Sequence, residues 1–173
     1  MNKFIRFILI ASFSILSPLT QAQTAQAQIG PSDFAGPYVG FKVGTNTSNA
    51  SGAISKASHT TVFPGITAGY NFDIGRFVVG AEAFADFHHG STTFKDGGID
   101  AKLGMPLIQF MPYARLGFTS SWPDNRLHGG LGVEYKLARQ ISAALEWTAD
   151  SSHHDGTKRV NNSVTIGLQY HFN

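Results

Sequence analysis

The sequence contains no cysteine, so neither a disulfide framework nor a thiolate metal site can form. Charge is scarce: 14% of the 173 residues, with a net charge of +2. The lysines and arginines form no cluster, and no nucleic-acid partner is expected. Long apolar runs are missing too. The longest, Phe7 to Leu16, is too short to cross a bilayer as a helix. With 42% hydrophobic residues the chain is nonetheless of folding rather than disordered composition. The folded part is therefore either a soluble domain or a membrane barrel built of strands.

What the sequence has in abundance is glycine and phenylalanine, 19 and 14 residues respectively. Few charges, many glycines and many aromatics suit an all-β architecture with frequent turns. The N-terminus has the marks of a secretory signal peptide. Lys3 and Arg6 precede the apolar run, and small-residue cleavage sites follow, after Ala22 or after Ala27. Residues 1–27 are accordingly expected to be an export segment, 28–36 a short leader, and 37–173 the folded domain. No second domain is expected.

From Tyr38 onward, apolar and polar residues alternate with period two, the signature of two-faced strands. The clearest strand is the last. Val160, Val164, Ile166, Leu168, Tyr170 and Phe172 share one face with a single polar residue, Asn162. Asn161, Ser163, Thr165, Gly167, Gln169 and His171 share the other. Eight such segments can be counted. Three connections are short: Asp73 to Arg76, Pro106 to Met111, and Ala138 to Gln140. The others read as longer polar loops: Asn46 to Thr60, His89 to Gly98, Ser120 to Arg126 and Ser151 to Lys158. Pro64 suggests an irregular start to the second strand. Short turns at one end and long loops at the other describe an up-and-down antiparallel barrel of eight strands.

Periodicity alone does not say which face points inward. Three features favour the apolar face pointing out to lipid. The polar face is rich in glycine, which is destabilising on an exposed strand but makes room inside a narrow barrel. The apolar face carries more bulk than an eight-stranded interior holds. Aromatics gather at two levels, with Tyr70, Phe72, Phe77, Tyr135, Tyr170 and Phe172 near the turns. Phe87, Phe118 and Trp147 lie near the loops. Two such belts match two membrane interfaces.

Several stretches carry a family resemblance. GITAGYNFDIGRFVVGAEAFADF (Gly65 to Phe87) resembles the second hairpin of OmpA/OmpX-like outer-membrane barrels. DAKLGMPL followed by MPYARLGF (Asp100 to Phe118) resembles their next hairpin. GPYVGFKVG and GLQYHF fit as first and last strands. The resemblance spans nearly all of the chain after the export segment. It implies residence in the Gram-negative outer membrane. It also implies partnership with outer-membrane lipid and lipopolysaccharide, and contact with the barrel-assembly machinery during biogenesis. The ending Gly167, Leu168, Tyr170 and Phe172 resembles the C-terminal signal that this machinery reads, although Asn173 here follows the aromatic that most relatives place last.

Within the expected interior, one polar group stands out: Glu82, Lys102, Arg115, Glu134 and Glu146, placed at middle or lower heights, together with Lys136, which shares their face with Lys42, Asp86 and Asp100. Buried opposite charges pair because an isolated one is very costly. A side-chain plug is therefore the expected role, with a gated ion path in a small porin-like channel as the alternative. Histidines 59, 88, 89, 128, 153 and 154 map to the loop end, but sequence does not fix loop residues in space, and no metal-ligand set is assigned. Ser151, Ser152, His153, His154 and Asp155 sit together as they would in a lipid A-modifying enzyme. Adjacency does not make a triad, and no enzyme activity or cofactor is expected. Gly97-Gly98 lacks the strand–loop–helix context of a phosphate loop, and no zinc-protease spacing occurs. The expected function is structural or surface-interacting, with the loops open to an external ligand.

Overall fold

The alternating segments become eight antiparallel strands, each hydrogen-bonded to its neighbours in sequence, with the first and last closing the barrel. The computed structural model describes residues 32–89, 95–121 and 125–172. The expected export segment and its cleavage sites lie outside the described residues. The strands are β1 (Gly36–Gly52), β2 (Lys56–Asp73), β3 (Val78–Asp86), β4 (Asp96–Gly104), β5 (Phe110–Ser121), β6 (Arg126–Ala138), β7 (Ile141–His154) and β8 (Thr157–His171). Closure runs through β1 and β8, where Phe41 faces Leu168 and Val43 faces Ile166. A closed sheet leaves no edge of unpaired amides, which a bilayer would not tolerate.

The faces sort as a membrane requires. Ile99, Leu116, Leu127, Leu131 and Ile166 are each between 58% and 69% exposed. Lys42, Glu82, Asp100, Lys102, Arg115, Glu134, Lys136 and Glu146 are all buried. Such a molecule, greasy outside and ionic inside, is the inverse of a soluble barrel. On β8 the apolar stretch from Val164 to Phe172 matches the roughly 9–11 residues a tilted strand needs to cross. Tyr70–Phe72, Phe110–Tyr135 and Tyr170–Phe172 ring contacts, with centroids 4.5–5.1 Å apart, belt the turn end.

Two of the expected long loops are strand instead. β1 and β2 run on to Gly52 and back from Lys56, joined by three residues, and β7 and β8 turn at Asp155-Gly156 alone. The polar sequence hid these extensions. Above the bilayer the outward face meets water, so Thr45, Thr47 and Asn49 are polar yet as exposed as the lipid-facing residues below them, while Asn46, Ser48 and Ala50 stay buried on the inward face. The second turn had a legible signal. Asp-Gly suits a two-residue hairpin in which both residues take positive φ, and here Asp155 has φ 47° and Gly156 φ 69°. Pro64 likewise sits well inside β2 rather than at its start. Its carbonyl accepts Phe87 N–H at 2.9 Å, just beyond the end of β3. The N–H that proline lacks would point to that same side, where the regular ladder has ended.

The turn end is closed from within. Residues ahead of β1, expected to be plain leader, fold beneath the barrel. Phe34 is buried against Val78, Met111 and Tyr113. Asn71 Nδ2 donates to Phe34 O at 2.9 Å, and Ser32 N donates to Asp73 Oδ2 at 2.5 Å.

Candidate functional site

The lumen is built by the inward positions of all eight strands, and its charges fall into three levels. The middle level centres on Arg115 of β5. The cross-strand pairs Lys102–Arg115, Glu82–Asp100 and Gly132–Glu146 bring the charged residues of β3 to β7 to one height. Arg115 Nη1 donates to Glu146 Oε2 at 2.6 Å, and Nη2 contacts Asp100 and, at 3.4 Å, Glu82 Oε1. Lys102 Nζ lies 3.4 Å from Glu82 Oε2 and donates to Tyr38 Oη at 3.3 Å. Tyr38 in turn donates to Glu82 at 2.7 Å, and Tyr113 to Glu146 at 2.5 Å. His128 Nε2 is 2.5 Å from Asp100 Oδ1, while its Nδ1 is 2.9 Å from Thr119 Oγ1. Lys102 also lies over the Tyr113 ring, 4.5 Å from its centroid.

Glycine makes this packing possible. A Cβ at Gly69 would sit 2.5 Å from Tyr38 Oη, and one at Gly132 would overlap the Tyr113 ring. Those two glycines give the phenols their places across the lumen.

The structure places four of the six expected residues, Glu82, Lys102, Arg115 and Glu146, in this one cluster. Glu134 and Lys136 belong to the lower level. There Glu134 Oε1 accepts from Ser142 Oγ at 2.5 Å and lies 2.9 Å from His171 Nε2. The Lys136 ammonium stands 5.2 Å from the centroid of the Phe34 ring. Sequence reasoning did not single out Tyr38, Tyr113, Asp100 and His128 as partners of the cluster. Their signal was their shared polar face, but relative height depends on strand stagger, which no single strand reveals.

The upper level lies at the mouth. Lys42 Nζ is 3.0 Å from Asp86 Oδ1. Arg126 contacts Asp96 and donates from Nε to Asp150 Oδ2 at 2.9 Å. Asn161 Nδ2 donates to Asp150 Oδ1 at 2.6 Å. Between the middle and upper levels is a cavity of about 40 Å³, room for roughly three waters. Another of about 10 Å³ lies beside Lys42, Thr67 and Glu146.

In the serine- and histidine-rich segment at the end of β7, Ser152 is buried. His154 Nε2 lies 3.1 Å from Asp155 Oδ2, with both side chains well exposed. At the chain's end, Leu168, Tyr170 and Phe172 face outward at 57%, 42% and 57% exposure. Gly167 faces inward, where a Cβ would lie 3.2 Å from Lys42 Cβ.

A closed eight-stranded barrel with an apolar exterior, aromatic belts and an ionic interior defines a small integral protein of the Gram-negative outer membrane. The chain belongs to the outer membrane protein beta-barrel domain family, whose model matches residues 9–172. Among solved structures it is similar to Neisserial surface protein A, with 20% identity, 83% of this chain and 99% of that chain covered, and a TM-score of 0.50. Ail, the attachment invasion locus protein of Yersinia pestis, is 14% identical, with 78% and 99% covered and a TM-score of 0.45. OprG of Pseudomonas aeruginosa is 16% identical, with 83% and 98% covered and a TM-score of 0.41. At these identities the likeness is one of fold. No curated protein matches the chain.

Proposed function

We propose that the protein is a rigid, non-conducting barrel whose extended outer hairpins serve as its surface for interaction. The observation that carries this reading is Arg115, which bridges Glu82, Asp100 and Glu146 across the middle of the lumen. A side-chain bridge between opposite walls fills the narrowest part of an eight-stranded barrel. The two cavities at and below the mouth have room for only a few waters, too little for a hydrated ion. In the Ser151–Asp155 segment Ser152 is buried while His154 and Asp155 pair in the open, which supports a non-enzymatic role.

The outer hairpins rise beyond the apolar band and carry exposed basic residues near their tips. Lys158 pairs with the exposed Ser51, and the exposed Lys56 with Ala50. Their chemistry suits the phosphates of lipopolysaccharide, the lipid partner of this reading. The outward Leu168, Tyr170 and Phe172 with inward Gly167 are the residues we assign to recognition by the assembly machinery.

Single-channel recording in planar bilayers tests the occluded interior. The expected trace is flat at moderate voltage. Reproducible, ion-selective current steps would overturn the reading in favour of a small porin-like channel.

A further inference from the structure

At the mouth of the barrel, three side chains with metal-ligating atoms stand close together. Asp86 of β3 pairs directly with Asp96 of β4, and both side chains are buried in the lumen. Like charges opposite one another on one sheet face repel. His88, two residues beyond Asp86, is buried on the same side. Its ring packs on Phe63 with centroids 4.0 Å apart, which fixes its plane. His88 Nε2 lies 3.8 Å from Asp96 Oδ1. One possible ligand atom from each of the three lies within 4.8 Å of the others. Among the described residues, Asp96 Oδ1 and His88 Nδ1 are buried without a hydrogen-bond partner. Buried polar atoms are rarely left so, and unpartnered ones call for a reason.

We infer that Asp86, His88 and Asp96 form a binding site for one divalent transition-metal ion of the zinc type. An imidazole nitrogen with two carboxylate oxygens is a donor set for zinc, whereas calcium and magnesium take six or more oxygens. Ligand atoms about 2 Å from a tetrahedral metal stand roughly 3.3 Å apart, so the 3.8 Å between His88 Nε2 and Asp96 Oδ1 needs little closure. The cavity lined by these residues leaves room for a water as fourth ligand.

The other charged groups facing the site set its strength. Arg126 holds Asp96 through Oδ2, on the side away from His88, and Asp150 holds Arg126. Lys42 contacts Asp86 Oδ1 and competes with a metal for it. His128 is engaged by Asp100 and Thr119 and supplies no ligand.

The test is calorimetric titration of untagged, detergent-folded protein with zinc chloride near neutral pH. One saturable site per barrel is expected, with no comparable heat from calcium or magnesium chloride. His88→Gln and Asp96→Asn should each weaken binding about tenfold or more, with heat-modifiable gel migration checking that the barrel is closed. Lys42→Gln should tighten it. Absence of saturable zinc heat in the unaltered protein overturns the inference without recourse to a variant. Undiminished binding in the folded His88→Gln or Asp96→Asn protein also overturns it, and would move the metal to exposed histidines such as His153 and His154.

Discussion

At mid-height a single guanidinium, Arg115, meets three carboxylates, and every one of those acids has a further partner in Lys102, Tyr38, Tyr113 or His128. At the mouth, Lys42 and Arg126 each hold one of two directly opposed aspartates, and among the described residues no cation is shared between the two as Arg115 is among its acids. The contrast follows from depth. Beside the bilayer core, water cannot rescue an unpaired charge, so each acid there is held by more than one group. Near the mouth, water or an ion can enter, and the network stays open to a ligand. One level is organised for rigidity and the other for exchange.

Breaking the middle level should have the largest effect. Arg115→Ala leaves Glu82, Asp100 and Glu146 buried without their shared cation, at a cost of about 3–5 kcal/mol. Urea unfolding of the barrel refolded into lipid vesicles measures it. Arg115→Lys keeps the charge but not the fork and should recover only part of that loss.

A charge moved to the other face comes next. Leu131, 59% exposed in the middle of β6, faces the lipid. Leu131→Arg should cost about 2–4 kcal/mol in the same titration, while the lumen network remains intact. Gly132→Val, which drives a side chain into the Tyr113 ring, should cost about 1–3 kcal/mol through overpacking. Its unfolding midpoint should rise again when Tyr113→Ala is added.

Arg126→Ala, at the mouth, completes the comparison. Its partners Asp96 and Asp150 line the cavity at the mouth, where water can replace part of what the guanidinium supplied, so the loss should be smaller, about 1–2 kcal/mol. Equal losses for Arg115→Ala and Arg126→Ala would erase the distinction between the two levels.

The strands themselves were plain in the sequence because each needs one face for lipid and one for the lumen. Val164, Ile166 and Leu168 against Thr165, Gly167 and Gln169 leave little choice of phase. Which face turned inward followed from glycines such as Gly69 and Gly132, whose missing side chains only an interior would use. The heights of the charges were not legible. Glu134 falls below the Arg115 cluster because β6 and β7 pair Glu134 with Ala144 and Gly132 with Glu146, a stagger set between strands. The outer extensions of β1 and β2 were hidden for a different reason: where the outward face meets water in place of lipid, both faces carry polar residues and the alternation that marks a strand is lost. Phe34 escaped notice because a lone aromatic ahead of the first strand belongs to no pattern, and only closure of the barrel gives it a hole to fill.

The central claim, lipid outside and ions inside, is open to direct measurement because the chain has no cysteine of its own. Single cysteines at successive positions from Val164 to Gln169, spin-labelled in vesicles, report oxygen collision rates along β8. High rates at 164, 166 and 168 with low rates at 165, 167 and 169 are the predicted result. A reversed alternation, or uniform contact with a water-soluble relaxant, would contradict it.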